Sequence, residues 1–288
     1  MLVDFAEATG VSVVLPTYNR VEALRETFPR LLELRAVAEI IVVNDGSTDT
    51  THEYLAGQVD PRLRVIRHTE RRGSPAARNS GVAAACTDWI LFAEDDCVFP
   101  SDYAAILVQE ARRTEADVIA APWLRAVPGQ EEAALTRARA AAADDIGFRS
   151  HPGTMPQNSV VTPFLPALAL VRRRVFKRLE FDEGFGGNAY REETDFFVSA
   201  ARDGFRCVLT SATAHYQHKI WTGGQKSARL SYELAALRNN WRFLDRHGEW
   251  LRENAQISGK SRAQVRFAAD RLRALAAGFI RSHFVRSG

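Results

Sequence analysis

The chain has 288 residues, of which 46% are hydrophobic and 25% are charged, a composition typical of a packed globular protein. Lys and Arg outnumber Asp and Glu by 38 to 35, and this net charge of +3 is too small to indicate nucleic acid as a partner. The three cysteines are odd in number and lack metal-site spacing, so the sequence favours neither a disulfide framework nor a zinc site and fits a reducing cytoplasm. No secretion signal is visible, and no apolar run approaches the roughly 20 residues that span a bilayer.

Short apolar runs rich in β-branched residues alternate with amphipathic stretches from residue 11 onward. Continuous apolar runs separated by helix-length segments are typical of parallel strands covered on both faces. The pattern predicts strands at 11–16, 39–45, 62–68, 89–93 and 117–121, and helices at 21–34, 74–86 and 101–114, the last with Ser101 as its cap. The sequence therefore predicts an α/β fold.

The alternation ends near residue 122. Residues 131–145 are predicted as an Ala-rich surface helix, 147–164 as a loop, and 166–176 as a strand that turns into a short helix. Neither an internal repeat nor a low-complexity linker occurs. A single domain with a helical C-terminal extension is the simplest organisation.

Polar turns follow three of the predicted strands. They are 16–19 (PTYN) after the first strand, 44–49 (NDGSTD) after the second, and 94–96 (EDD) after the fourth. In an open α/β sheet, ligands bind beyond the carboxyl ends of the strands. Adjacent carboxylates repel one another, so the cluster of three acids either lies solvated in a turn or binds a cation. The sequence therefore predicts a binding site at this rim, with a solvated turn or helix cap as the alternative for the acids.

These turns resemble the family 2 glycosyltransferases of the GT-A fold over about residues 11–220. The resemblance is carried by PTYNR, VNDGSTD, GSPAARNSG, the acidic pair after the fourth strand, and REETD followed by a His. The chain reads AEDD where many members read D-x-D or D-D-D, and Glu192-Glu193 where many read E-D. Processive members carry membrane spans and a Q-x-x-R-W motif, neither of which occurs here, so a single-transfer enzyme is implied.

The resemblance implies a nucleotide-diphosphate sugar as donor, a hydroxyl-bearing acceptor, and Mn²⁺ or Mg²⁺ as cofactor. A hard divalent cation held by carboxylates neutralises the negative charge that grows on a departing diphosphate. Asp96 is expected to bind the metal, and Asp95 to contact the ribose or the waters of the metal. The nucleotide-binding residues that the resemblance further implies are Pro16, Thr17, Tyr18, Asp45 and Arg78. The alternatives are Asn-Asp-Gly turn chemistry for Asp45, core packing for Tyr18 and a solvated helix face for Arg78.

The stretch 191–195 (REETD) opens a predicted helix, so its carboxylates fall in the first turn, where the helix dipole favours their ionised form. Glu193 aligns with the catalytic base of the family, which takes the proton of the incoming hydroxyl. Glu192 and Asp195 are the alternates, and a purely structural role at the helix start is the other interpretation. His215 and His218 point to opposite faces of a strand, and the family spacing favours His218 as a metal or diphosphate contact. Residues 221–227, with Lys226, are a candidate flap over the phosphates.

Residues 1–222 are predicted as the catalytic domain, with a nucleotide-sugar-binding half at about 11–122 and an acceptor half at about 123–222, and 223–288 as a helical extension. The extension contains two predicted helices, at 228–248 and 261–288. The second has its arginines largely off an apolar stripe formed by Val265, Ala269, Leu272, Leu275, Ala276 and Phe279. Such a helix can lie on the inner face of the cell membrane; the alternative is packing on the catalytic domain or on a second subunit as a homodimer.

The sequence thus predicts an inverting, metal-dependent glycosyltransferase acting on a cell-envelope glycan, a glycolipid or a secondary metabolite. A nucleotidyltransferase is an alternative, but it calls for a Gly-rich loop after the first strand, where LPTYNR offers no glycine. A nicotinamide-binding oxidoreductase is disfavoured because G-x-G-x-x-G is missing. A non-catalytic nucleotide-sugar-binding protein of the same fold is the remaining alternative.

Overall fold

The computed structural model describes residues 10–142, 155–218, 229–254 and 261–271. Its contacts divide the chain into two compact units, one from residues 1–183 and 193–225 and the other from 184–192 and 226–288. The second unit begins at residue 226, whereas the predicted extension begins at 223, and it also includes the short stretch 184–192. The candidate flap at 221–227 lies outside the described residues.

The first unit is built around an eight-stranded, mainly parallel sheet. The strands of this unit are β1 (Val11–Thr17), β2 (Val37–Asn44), β3 (Leu63–Arg67), β4 (Trp89–Phe92), β5 (Val118–Ala120), β6 (Trp123–Arg125), β7 (Val160–Val161), β8 (Ala169–Arg172), β9 (Cys207–Leu209) and β10 (His215–Gln217). Strands β6 and β10 pair with each other as a separate small sheet, and the other eight form the large sheet. The order in the large sheet is β3-β2-β1-β4-β8-β5-β9-β7, with β8 antiparallel to both of its neighbours. The predicted α/β fold is confirmed.

Seven helices have assigned bounds within the described residues: α1 (Val21–Leu32), α2 (Thr51–Ala56), α3 (Ser74–Ala84), α4 (Tyr103–Thr114), α5 (Glu131–Ala140), α6 (Glu192–Arg202) and α7 (Arg229–Asn254). A 3₁₀ turn at Arg173–Lys177 follows β8, as the stretch 166–176 predicted, and residues 261–271 are also helical. The predicted Ser101 cap of α4 is wrong. The cap residue is Asp102. Ser101 instead lies within a turn formed by Pro100–Tyr103, and its carbonyl accepts a hydrogen bond from the Arg35 amide at 2.8 Å.

The continuous apolar runs of the strands are explained by cores on both faces of the sheet. In β1, Val13 and Leu15 pack into one core with α1 and α4, whereas Val14 packs into the other, which contains Phe92 and the phenylalanines of α6. Helix α3 lies so close to β1 that a Cβ on Gly81 would come within 2.3 Å of Val14 Cγ1. This close approach sets the N-terminus of α3 beside the carboxyl end of β1.

In the second unit, the arginine that precedes α6 anchors the chain on α7. The Arg191 guanidinium lies 5.4 Å from the Phe243 ring centre and donates to Asn240 at 3.3 Å. Of the expected apolar stripe of the C-terminal helix, Val265 is 69% exposed and Ala269 is half-buried, and the neighbouring Phe267 contacts Tyr190. The members of that stripe after residue 271 lie outside the described residues. No helix in the described part of the chain has the length and apolar character needed to cross a bilayer.

Candidate active site

The turns after β1 and β2 form one rim, held together by Asn19. Its side-chain oxygen accepts hydrogen bonds from the backbone amides of Thr48 and Asp49 at 2.7 and 3.3 Å. Its backbone amide donates to the Ser47 hydroxyl at 3.0 Å. The φ of Asn19 is 50°, a left-handed conformation that Asn tolerates better than most residues. The PTYN and NDGSTD motifs therefore support each other.

A cleft of about 260 Å³ opens at this rim, beyond the carboxyl ends of β1, β2 and β4. It is lined by all the predicted nucleotide-binding residues and by the predicted metal ligand Asp96: Pro16, Thr17, Tyr18, Asp45, Arg78, Asp95 and Asp96. Five further residues line it as well: Arg20, Arg71, Ser74, Ala77 and Glu94. Residues that are far apart in the sequence thus converge where the rule for α/β sheets places a ligand.

The Asp45 carboxylate is buried and already holds the next loop in place. One oxygen accepts the Arg72 amide at 2.9 Å and lies 2.7 Å from His68 Nδ1, and the other accepts the Gly73 amide at 2.8 Å. Gly73 has a φ of 97°, where a side chain would be strained. Asp45 therefore shapes the cleft wall, and Oδ2 keeps capacity to accept a further hydrogen bond.

The Tyr18 ring is half-buried at the cleft, and the Arg71 guanidinium lies 4.9 Å from its centre. A cation over an aromatic face is attractive and fixes the ring orientation. Tyr18 is thus a wall of the cleft and is not packed in the core.

The carboxylates after β4 are oriented by cationic and polar side chains. Thr17 donates to Asp95 at 2.8 Å, and Arg20 Nη1 lies 3.4 Å from Asp95 and 3.0 Å from Asp96. Gln217, at the end of β10, donates to the same oxygen of Asp96 at 3.2 Å. Burial raises the pKa of Asp95 to about 6, with Arg20 opposing this rise and Asp96 adding to it.

Glu94 is the most strongly perturbed acid of the cluster. Burial of its carboxyl, followed by the nearby charges of Asp96 and Glu193, raises its pKa to about 8, against the opposing effect of Arg78. The Glu94 side chain keeps 40% exposure. A carboxylate whose ionisation is disfavoured by its neighbours is one that a divalent cation would stabilise.

The donor set fits such a cation. Ligand atoms of Glu94, Asp96 and Cys97 lie within 4.8 Å of one another. Carboxylate oxygens are the ligands that Mg²⁺ and Mn²⁺ prefer. Burial raises the pKa of the Cys97 thiol well above its usual range, so this thiol stays protonated and is the weakest of the three donors.

Arg78 connects this cluster to α6. It is buried at 2% exposure, donates to Glu193 Oε1 at 3.0 Å and lies 3.7 Å from Glu94. A second nitrogen of the same guanidinium donates to the Ser74 hydroxyl. Arg78 is therefore part of the site and is not solvated on a helix face. Glu192 and Asp195 are both buried, whereas Glu193 keeps 23% side-chain exposure, which favours Glu193 among the three candidates for the base.

His218 is the predicted site residue that the structure places elsewhere. Its Nε2 lies 2.7 Å from Glu131 Oε1, at the first residue of α5, and the described cluster of candidate metal ligands does not include it. The acid at the start of α5 engages the ring in place of the expected metal contact. His215 is buried beside Tyr103, and burial lowers its pKa to about 3, so it remains neutral.

Sequence reasoning missed Arg20, Arg71 and Gln217. Arg20 belongs to the PTYNR motif, which the sequence places after β1, but the sequence does not show that Arg20 pairs with Asp95 and Asp96. Gln217 reaches Asp96 because Val98 and Tyr216 form a backbone bridge, with the Val98 amide donating to the Tyr216 carbonyl at 2.7 Å. No local pattern predicts that bridge.

Comparisons to known proteins identify the family and the fold. The sequence model of glycosyl transferase family 2 matches residues 12–180, so the chain belongs to this family. Glycosyltransferase GlyG of Streptococcus pneumoniae serotype 4 is 27% identical over 191 residues, which are 60% of each chain. The uncharacterized glycosyltransferase EpsJ of Bacillus subtilis is 29% identical over 213 residues, 69% of this chain and 58% of EpsJ. The chain thus spans less than two thirds of the length of these relatives.

Solved structures show the same fold. The mannosyltransferase PcManGT from Pyrobaculum calidifontis, in complex with GDP-Man and Mn²⁺, superposes with a TM-score of 0.59 at 18% identity, over 93% of this chain and 75% of that chain. S. aureus TarS 1–349, in complex with UDP-GlcNAc, superposes with a TM-score of 0.57 at 18% identity, over 85% of this chain and 74% of that chain. The predicted GT-A fold is confirmed.

Proposed function

We propose that the protein is an inverting, metal-dependent glycosyltransferase that moves a sugar from a nucleotide-diphosphate donor to an acceptor hydroxyl. The observation that carries this proposal is that three sets of groups meet at one cleft. Tyr18 and Asp45 offer an aromatic face and an acceptor for a base, Glu94 and Asp96 offer oxygens for a divalent cation, and Arg78 links them to Glu193.

The donor class is supported by the chemistry of the cleft and by its relatives. PcManGT and TarS, which share the fold, are complexes with GDP-Man and UDP-GlcNAc respectively. A divalent cation bound by Glu94 and Asp96 would act as a Lewis acid on the leaving diphosphate. Asp95, held by Thr17 and Arg20, is the proposed contact of the ribose or of the waters of that cation.

Glu193 is the proposed base. Because its Oε1 accepts a hydrogen bond from Arg78, the carboxylate is fixed in orientation and Oε2 can take the proton of the acceptor hydroxyl. The acceptor oxygen then bonds to the anomeric carbon as the bond from that carbon to the diphosphate oxygen breaks. The bonding electrons leave with the diphosphate, and attack opposite the leaving group inverts the configuration.

A thermal-shift panel tests the nucleotide and metal parts of the proposal. UDP, GDP, dTDP and CDP are each added with and without Mn²⁺ to the parent protein, to Asp96→Asn and to the control Asp203→Asn, whose carboxylate pairs with Arg178. A ligand at a hundred times its Kd adds about 2.7 kcal/mol to the free energy of unfolding. We expect one diphosphate to stabilise only with Mn²⁺, in the parent and in the control but not in Asp96→Asn. Stabilisation by none of the four would contradict the proposal.

We further propose that residues 1–222 carry catalysis with 223–288 as an extension, and that the protein works in the cytoplasm at the inner face of the cell membrane. A homodimer formed through the extension is the other arrangement that the sequence predicts. The grouping of residues 226–288 into a second compact unit supports a separate role for the extension. Vesicle binding and oligomeric state distinguish the two arrangements.

A further inference from the structure

We propose that one face of the second unit docks on an anionic lipid surface. This face, the tail surface, consists of Leu230, Leu234 and Trp241 on α7 and Val265 on the helix at 261–271. The inference deepens the membrane location proposed above, and it does not depend on the proposed chemistry of the cleft.

The α7 part of the tail surface is an exposed apolar stripe. Leu230, Leu234 and Trp241 are 67%, 57% and 45% exposed. At about 100° per residue, positions 230, 234 and 241 fall within an arc of about 40° on the helix surface. Three large apolar side chains thus follow one line over about three turns, which scattered surface hydrophobics do not do.

Val265 lies on the same side as this stripe. The helix at 261–271 runs antiparallel to α7, because Gln264 contacts Asn240 and the Leu237 carbonyl whereas Arg271 pairs with Glu233. On the far edge of that contact, Phe267 packs on Tyr190. Val265 is about 200° from Phe267 around its helix, so it lies on the opposite side of that helix. This side is next to Leu237, which borders the apolar stripe of α7.

The charges around the tail surface are mainly positive. Within 230–242 and 261–271, the exposed charged residues are Arg238, Arg242, Arg262, Arg266 and Asp270. The other acid of these stretches, Glu233, is paired with Arg271. Each of the two helices therefore carries two exposed arginines near the tail surface.

This combination favours a lipid surface over a second copy of the chain. In a two-fold dimer the same patch would meet itself, bringing arginines against arginines. An anionic bilayer instead attracts each basic residue near its surface by about 1 kcal/mol, and accommodates leucines below the headgroups with tryptophan at the interface.

The test is co-sedimentation of the full chain with vesicles of phosphatidylcholine alone and of phosphatidylcholine with phosphatidylglycerol. We expect binding only to the anionic vesicles, and loss of that binding at about 1 M salt, where the screening length falls to about 3 Å. Leu234→Glu with Trp241→Glu, and separately Arg238→Glu with Arg242→Glu, should each weaken binding at least tenfold. The control Arg25→Glu changes an exposed arginine of the first unit and should bind as the parent does.

Two results would overturn the proposal. One is equal sedimentation of the parent and both double variants with anionic vesicles. The other is a dimer in analytical ultracentrifugation that Leu234→Glu dissociates, because a second copy would then cover the tail surface. All variants should keep the shift in melting temperature that nucleotide diphosphate and Mn²⁺ produce, so a failure here is distinguishable from a failure of the proposed activity.

Discussion

The guanidinium of Arg78 and the carboxylate of Glu193 lie 3.0 Å apart although 115 residues separate them in the chain. Arg78 extends from α3 on one side of the cleft, and Glu193 stands in the first turn of α6. Because Arg78 is buried, the pair fixes the carboxylate where the acceptor is proposed to bind. The same guanidinium lies 3.7 Å from Glu94, so one cation couples the proposed base to the proposed metal ligands.

Replacing Arg78 by Ala should destabilise the fold. Breaking a fully buried ion pair costs about 3–5 kcal/mol, and we expect about 2–4 kcal/mol because Glu193 and Glu94 both retain some exposure. Urea unfolding measures the loss. The control Arg113→Ala removes an exposed partner of Glu110 and should leave the free energy of unfolding close to that of the parent. Equal losses in the two variants would show that Arg78 is not a structural counter-ion.

Glu193→Gln should lower kcat by about 10²- to 10⁴-fold, the usual contribution of a general base, while the KM for the donor changes little. The amide keeps the shape of the side chain but cannot take the proton. Steady-state kinetics with the donor identified by thermal shift provide the measurement. Glu192→Gln, which changes a buried neighbour, is the matched control. A larger kcat loss in Glu192→Gln without loss of stability would move the base to that residue.

Asp45→Asn should weaken nucleotide binding and loosen the loop at residues 70–73. The new amide nitrogen must face either the Arg72 or the Gly73 amide, and leaving a buried donor unsatisfied costs about 1–3 kcal/mol. Isothermal titration with the nucleotide diphosphate and Mn²⁺ measures the affinity. Asp60→Asn is the control, since Asp60 also accepts a backbone amide, that of Arg62. It should lower stability without changing nucleotide affinity, and similar affinity losses in both variants would contradict the role of Asp45.

The free energy of unfolding should fall as the pH is lowered, because His215 is neutral in the folded chain and protonated in the unfolded chain. Burial lowers its pKa from the ordinary 6.5 to about 3, so between these values the unfolded chain binds a proton that the folded chain does not. The stabilising contribution is therefore full above pH 6.5 and declines toward pH 3, by about 2 kcal/mol at pH 5. His215→Phe removes this term, and Tyr103 can still donate to the Leu168 carbonyl. Urea unfolding at pH 7 and pH 5 should show a smaller loss in the variant; equal losses would mean that His215 is protonated when folded.

Arg20→Ala should tighten the binding of Mn²⁺ alone by roughly five- to tenfold. The substitution removes a positive charge 3.0 Å from Asp96, and unit charges about 4 Å apart interact by about 1 kcal/mol even in bulk water. Titration followed by the electron paramagnetic resonance of free Mn²⁺ measures this without any substrate. Arg25→Ala, on the same helix and paired with exposed Glu22, should bind as the parent does. Weaker binding in Arg20→Ala would instead show that Arg20 orients Asp96 for the metal.

Local patterns in the sequence are sufficient to predict the strands and the turns that follow them. The apolar runs of β1, β2 and β4 are buried on both faces, which is why neither alternation nor a polar face interrupts them. Because these strands are parallel, their carboxyl ends share one edge, and the polar turns after them had to converge there. The cleft that contains Tyr18, Asp45 and Asp96 could therefore be predicted from local patterns and the family motifs together.

The pairing of side chains across the cleft depends on how the helices and strands pack against one another, which local patterns do not specify. β8 was predicted as a strand, but its antiparallel place between β4 and β5 depends on contacts that no local pattern contains. Arg20 and Gln217 reach Asp96 from 76 and 121 residues away, and His218 finds Glu131 in place of a metal ligand. The periodicity of a sequence encodes which face of an element a side chain occupies. The partner of that side chain on the opposing element is set by packing. In this protein, packing determined which charged and polar groups surround Asp96.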